Sequence, residues 1–150
     1  MSSSDEPRYL VPFHPKQVSH YFTDVLIIGG GLAGLRAAME VDPSLSALIV
    51  AKEGILQSNS NFAQGGIAGV LDPNDRFESH IADTMEAGGP LCDLKTVEEV
   101  VREGPQEINR LIDWGTQFDR EQGELLLGRE GGHSSRRVVH ALGDATGREV

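Results

Sequence analysis

The sequence predicts an α/β domain that opens with a strand, a glycine turn and a helix, and three observations support this. Residues 25–28 are an unbroken apolar run, typical of a parallel strand buried on both faces. Gly29, Gly31 and Gly34 follow this run in the spacing G-x-G-x-x-G. A second apolar run, residues 47–50, completes a βαβ unit whose right-handed crossover places the two strands parallel.

The glycine turn is typical of a site that binds the pyrophosphate of a dinucleotide. Gly29 permits the tight turn, Gly31 lets the pyrophosphate approach the backbone, and Gly34 lets the helix pack against the strand. The helix is predicted over residues 32–41, and its first N–H groups are expected to be free and to face the anion. A tight turn without a ligand is the alternative interpretation.

Composition excludes several classes of partner. The net charge of -10 argues against nucleic acid and against an anionic membrane surface. The single cysteine, Cys92, excludes an internal disulfide and fits a reducing compartment. No apolar stretch reaches membrane-spanning length, and residues 1–23, an irregular lead-in, have no signal-peptide core. We therefore expect a cytoplasmic location.

The rest of the chain predicts a functional loop, three helices and a hairpin. Residues 52–69 are long, polar and glycine-rich, as in loops that carry function. Helices are predicted over residues 77–87, 96–103 and 105–114, with a Gly-Pro pair separating the last two. Gln122-Gly123 is a plausible hairpin turn.

The residues after the second strand bear on which dinucleotide is bound. A Rossmann unit usually carries an acidic residue there, which binds a ribose hydroxyl, but this chain has Ala51. Lys52 can lie near a phosphate, and Glu53 is a possible substitute for the missing acid. The departure weakens the NAD and generic FAD interpretations alike. The Ser-, Asn- and Gly-rich loop favours FAD, because it can wrap a flavin with N–H and amide donors; an NAD-binding module remains the alternative.

Three segments together carry a resemblance to a known family. They are residues 24–31 (DVLIIGGG), residues 62–68 (FAQGGIA) and residues 129–147, which contain REGGHS and end in ALGDATG. The chain resembles the succinate dehydrogenase/fumarate reductase flavoproteins, and within them the branch that oxidises L-aspartate. The likeness covers residues 24–150. It implies the N-terminal part of a Rossmann-like FAD-binding domain, with the rest of that domain, a capping domain and a helical domain beyond Val150.

The resemblance implies FAD bound in extended form across the glycine turn. Asn59 stands where respiratory relatives carry a histidine that bonds FAD covalently, and its amide is not a nucleophile, so non-covalent FAD is expected. The positions that match the family's cofactor contacts are Gly29, Gly30, Gly31, Leu32, Ala33, Gly34, Lys52, Asn59, Ser60, Asn61, Phe62, Ala63, Gln64, Gly65 and Gly66.

Glu130 is the candidate catalytic and substrate-orienting residue that the resemblance implies. L-Aspartate is succinate plus an ammonium group, and a carboxylate can pair with that ammonium and orient the Cα–H bond. Succinate-type relatives tend to carry an apolar residue at this place. The alternative is a surface glutamate paired with Arg129 or Arg136.

The neighbouring polar residues have less specific interpretations. His133 is a candidate for binding the substrate carboxylate or the flavin, and equally for a structural hydrogen bond. Structural or solvated roles are expected for Arg136 and Arg137, with anion binding by one of them as the alternative. His140 lies in an apolar run and is expected to be a core or helix-face residue. No metal site is predicted.

The implied reaction is oxidation of L-aspartate to iminoaspartate, with electrons passed to O₂ or fumarate. By the same resemblance this is the first step of NAD biosynthesis through quinolinate, with quinolinate synthase as the suggested partner. A succinate- or fumarate-type enzyme acting on a dicarboxylate without an amino group is the alternative. Because the family's substrate-clamping residues would lie beyond Val150, the 150-residue chain alone is expected to be inactive.

Overall fold

The computed structural model describes residues 13–150, and it confirms the opening βαβ unit. Strand β1 (Val25–Ile28), helix α1 (Leu32–Met39) and strand β2 (Ala47–Val50) follow in order. The two strands are parallel, with Val25 opposite Ala47 and Ile28 opposite Val50. The predicted α/β class and Rossmann-like start are therefore confirmed, although α1 ends before the predicted limit of residue 41.

The expectation that β1 is buried on both faces is wrong. The side chains of Leu26 and Ile28 are 56% and 84% exposed. The sheet has two strands, so a single helix packed on it leaves the other face open. The apolar run predicted the strand correctly and its burial incorrectly.

A helical pair forms the second part of the fold. Helix α2 (Phe77–Gly88) ends in a 3-10 turn, Gly89–Leu91, and helix α3 (Leu94–Asp113) packs beside it. The prediction of two helices over 96–114 is wrong, because α3 continues through Pro105. Val101 and Ile108, two turns apart on one face and on either side of the proline, are 6% and 1% exposed. This shared buried face holds the helix in line although the proline removes one backbone donor.

A small antiparallel sheet closes the core beneath the helices. Its order is β3 (Ile67–Ala68), β7 (Val138–Val139) and β6 (Leu127–Gly128). One cluster of buried core residues consists of Ile108, Phe118, Val139 and Ala141. Through β3 and β7, the end of the polar loop is joined to the last third of the chain.

The remaining elements are short. The predicted hairpin is confirmed: β4 (Arg120–Glu121) pairs with β5 (Glu124–Leu125), and the turn residues Gln122 and Gly123 have φ of 52° and 93°. Helix α4 (Thr146–Glu149) follows. The predicted lead-in contains one 3-10 turn, Pro15–Gln17, and its residues 1–12 lie outside the described part. Within residues 13–150, none of the helices has the length and apolar character needed to span a bilayer.

Candidate cofactor and substrate site

The corner between β1 and α1 requires glycine at two positions. Gly29 has φ +116°, a conformation that side chains disfavour, and its N–H donates to the Val50 carbonyl at 2.8 Å. A Cβ atom on Gly34 would lie 2.0 Å from the Gly29 carbonyl oxygen. The start of α1 therefore touches the turn itself, as the spacing of the glycines predicts.

A cavity of about 320 Å³ lies where β1 and β2 end. Ligands in open α/β sheets bind at this carboxyl edge. Gly30 and Ala51 meet at its base, since a Cβ on Gly30 would lie 3.2 Å from the Ala51 Cβ. The lining residues are Gly29, Gly30, Ala51, Lys52, Glu53, Gly54, Ile55, Gln57, Ser58, Asn59 and Phe62.

The first turn of α1 is capped by the polar loop. The backbone N–H of Leu32 donates to the Ser60 hydroxyl oxygen at 3.1 Å, so the expectation that the first N–H groups are all free is wrong. A Cβ on Gly31 would lie 3.3 Å from the same oxygen. Ser60 thus fixes the loop against the helix N-terminus, where an orphan N–H needs an acceptor.

A second cavity, of about 240 Å³, lies on the other side of this contact. The Gly147 N–H donates to the Ala63 carbonyl at 2.9 Å, and a Cβ on Gly147 would lie 2.0 Å from the Ser60 carbonyl oxygen. The three segments behind the sequence resemblance therefore meet around this loop. The lining residues are Leu32, Ser60, Ala63, Gly65, Gly66, Ile67, Thr146, Gly147 and Val150.

Seven of the residues predicted for the site line neither cavity. Asn61 lies in the loop, where its N–H donates to the Ser58 hydroxyl at 3.1 Å. Glu130 and His133 lie at and beyond the end of β6, on the segment that leads to β7. The seven are Gly31, Ala33, Gly34, Asn61, Gln64, Glu130 and His133.

Glu130 is paired with a histidine rather than with a neighbouring arginine. Its Oε1 lies 2.7 Å from His140 Nε2, and its side chain is 49% exposed. Arg129 instead donates from Nε to the His133 carbonyl at 2.9 Å. His140, expected as a core or helix-face residue, thus contacts the side chain that is predicted to orient the substrate.

Arg137 is fully buried and structural, in line with its interpretation from sequence. Its Nε and Nη2 donate to the Asp75 carboxylate at 2.8 Å, and its Nη1 donates to Asp83 Oδ2 at 2.6 Å. Burial raises the pKa of Asp83, but hydrogen bonds from Ser134 and Arg137 outweigh it and lower that pKa to about 2. Burial also raises the pKa of Asp75, but hydrogen bonds, chiefly from Arg137, outweigh it and lower that pKa. The cluster ties α2 to β7.

His133 packs against His80 of α2, with ring centroids 5.6 Å apart. The buried Nδ1 of His133 and both ring nitrogens of His80 have no hydrogen-bond partner among residues 13–150. Burial, followed by the charges of Arg137 and His133, lowers the pKa of His80. Burial therefore disfavours the charged form of the His80 ring.

A family model described as FAD binding domain matches residues 24–150. The chain belongs to this FAD-binding domain family. The residues of the first cavity fit the cofactor, because Gly29 and Gly30 line it without side chains that would keep a phosphate from the backbone. Lys52 supplies a cation, Asn59 an amide, and Phe62, 62% exposed, an apolar surface. FAD, predicted from the loop composition, is thus the cofactor of this domain.

Curated relatives of this FAD-binding domain are named L-aspartate oxidase. The protein of Oryza sativa subsp. japonica is 49% identical over 89% of this chain, and that of Streptomyces coelicolor is 44% identical over 85%. The match covers 21% and 22% of those two proteins. The chain therefore spans about a fifth of the length of the curated relatives it matches.

Solved structures similar to this FAD-binding domain belong to the family that the sequence resembles. The FrdA chain of E. coli quinol fumarate reductase matches with a TM-score of 0.78 at 34% identity. Mycobacterium smegmatis Sdh1, solved with UQ1, matches with a TM-score of 0.75 at 33% identity. Each covers 85% of this chain, and this chain covers 22% of each. The resemblance stated from three segments is confirmed.

Sequence reasoning missed several contacts of this FAD-binding domain. Ile55, Gln57 and Ser58 line the first cavity although only the general character of the loop was predicted. The pairing of Glu130 with His140 was also missed. Its signal is indirect: Glu130 lies shortly after β6 and His140 directly after β7, and these two strands pair in the sheet.

Proposed function

We propose that the protein to which this chain belongs is an L-aspartate oxidase, which converts L-aspartate to iminoaspartate. The observation that carries the proposal is the Glu130 carboxylate, half exposed and held by His140. The His140 ring in turn lies against Gly66, at the end of the loop that lines the two cavities. The names of the curated relatives support the same activity.

Glu130 is the residue that can recognise an amino-acid substrate. The substrate ammonium and the carboxylate form a charge-assisted hydrogen bond, which fixes the rotation of the substrate about its Cα. Aspartate loses a hydride from Cα and a proton from its nitrogen, and a C=N double bond forms. FAD, when bound, supplies the acceptor for the two electrons. Orientation by Glu130 keeps the Cα–H bond in the reactive geometry.

The chain's own residues hold the cofactor without a covalent bond in this proposal. Lys52 and Gly30 line the first cavity and would bind the phosphates, and Asn59, in the same lining, offers an amide instead of a nucleophile. We further propose that residues 24–150 form the N-terminal part of the complete FAD-binding domain. O₂ or fumarate takes the electrons, and quinolinate synthase uses the product in cytoplasmic NAD biosynthesis.

The full-length protein, loaded with FAD, tests the proposal by peroxide release from L-aspartate. Glu130→Gln keeps the size of the side chain and removes its charge. We expect its kcat/KM for L-aspartate to fall about 10- to 100-fold, which corresponds to the free energy of one hydrogen bond to a charged group. Glu121→Gln, an exposed substitution on β4, is the matched control and leaves the rate unchanged. A full-length protein that binds FAD and does not oxidise L-aspartate would contradict the proposal.

A succinate- or fumarate-type activity is the second candidate, favoured by the similarity to the E. coli FrdA chain. Neither succinate nor fumarate has an ammonium group, so Glu130 has nothing to pair with in those substrates. Under the first proposal, Glu130→Gln impairs L-aspartate oxidation far more than fumarate reduction. Equal loss on both would favour the second candidate and remove the ammonium-pairing role.

A further inference from the structure

The ring of His140 occupies a space left by two glycines. A Cβ on Gly66 would lie 2.9 Å from His140 Nε2, and a Cβ on Gly128 would lie 3.2 Å from its Cε1. The side chain is 24% exposed. His140 is therefore packed between β6 and the loop that carries the cofactor contacts, and its ring cannot turn freely.

The bond between His140 and Glu130 has a defined direction. An ionised carboxylate only accepts hydrogen bonds, so the His140 Nε2, 2.7 Å from Glu130 Oε1, must carry the proton and donate. One carboxylate oxygen is then engaged, and the other remains for a cation. A glutamate side chain loses considerable rotamer freedom when it is fixed, and here His140 fixes it before a substrate arrives.

We propose that His140 is a positioning residue for substrates that carry an α-ammonium group. It sets the orientation of the Glu130 carboxylate relative to the loop at Gly66, and so relative to the cofactor. The inference rests on the proposed function and deepens it, since it assigns recognition of the amino group to a pair of residues. A dicarboxylate without an amino group has no ammonium to bind to Glu130, so this pair does not increase its affinity.

Two substitutions at His140 in the full-length, FAD-loaded enzyme test the inference. His140→Phe fills the same space without a donor, and His140→Gln keeps a donor near the position of Nε2. We expect His140→Phe to raise the KM for L-aspartate about tenfold, which corresponds to the lower end of the free-energy range for one charge-assisted hydrogen bond. The KM for fumarate should stay within about twofold, and His140→Gln should recover most of the loss.

The double variant separates failure of this inference from failure of the proposed function. If His140 acts through Glu130, adding His140→Phe to Glu130→Gln costs no further activity on L-aspartate. Additive losses, or equal losses of L-aspartate and fumarate turnover in His140→Phe, would overturn the positioning role while leaving Glu130 selective. Equal losses in Glu130→Gln itself would overturn the proposed function, and the inference with it.

Discussion

Replacing Gly34 by alanine should weaken FAD binding, although alanine is the better helix former. Alanine in a helix interior is favoured over glycine by about 1 kcal/mol. At Gly34, however, the new Cβ would lie 2.0 Å from the Gly29 carbonyl oxygen. Because real Cβ atoms essentially never come within 3.0 Å, the first turn of α1 must move by at least about 1 Å.

The expected magnitude follows from overpacking at the corner where we propose that the pyrophosphate binds. Such overpacking costs about 1–3 kcal/mol, which corresponds to roughly 5- to 150-fold in affinity. The assay is a titration of the full-length apoprotein with FAD, followed by flavin fluorescence. Gly34→Ala should raise the Kd by at least about fivefold.

Gly104→Ala is the matched control, because Gly104 also lies inside a helix. Its added Cβ would meet only the Ala68 carbonyl oxygen, at an ordinary 3.7 Å. We expect unchanged FAD affinity and slightly higher thermal stability from this variant. If Gly34→Ala bound FAD as tightly as the unsubstituted protein, the reasoning would be refuted, because FAD binding would then not depend on the position of the first turn of α1.

Three further predictions concern stability. Arg137→Met leaves the buried Asp75 carboxylate and the partly buried Asp83 carboxylate without their arginine, so the free energy of unfolding in urea should fall by about 3–5 kcal/mol. The lowered pKa of Asp83, about 2, means that its contribution is complete above its ordinary value of 3.8 and is lost as the pH falls towards 2. Acid unfolding of Asp83→Asn should accordingly depend less on pH in that window. Asp93→Ala removes the cap of α3, whose carboxylate accepts from the Thr96 N–H at 2.8 Å, and should cost about 1 kcal/mol in the same urea experiment.

An exposed ion pair provides the control for the buried one. Arg36 and Glu40 pair across one turn of α1, with side chains 36% and 68% exposed. Arg36→Met should therefore cost less than about 1 kcal/mol. A loss as large as that of Arg137→Met, or a tolerated Arg137→Met, would contradict the structural role of the buried cluster.

Local patterns predicted the parts of the fold whose geometry is decided by adjacent residues. Gly29 and Gly34 specify the corner because positive φ and close approach each exclude a side chain. The Gln122-Gly123 turn likewise requires positive φ at both residues. Such constraints act within a few residues, and the sequence displays them directly.

Contacts between distant segments were not predictable in the same way. Pro105 indicates a break in a helix, yet burial of Val101 and Ile108 against the rest of the fold keeps α3 continuous. Strands β3 and β7 contain two residues each, too few for an alternating pattern. The capping of α1 by Ser60 depends on the same long-range packing. Glycine spacing and loop composition predicted the cofactor, whereas the candidate role of Glu130 came from the family resemblance alone.

The most direct test of the central claim is reduction of the bound flavin by L-aspartate in the absence of oxygen. The full-length, FAD-loaded protein is mixed with L-aspartate or with succinate, and loss of the oxidised flavin absorbance is followed. We expect L-aspartate to bleach the flavin rapidly, and much more slowly in Glu130→Gln. Bleaching by succinate alone, or by L-aspartate at the same rate in both proteins, would contradict the account.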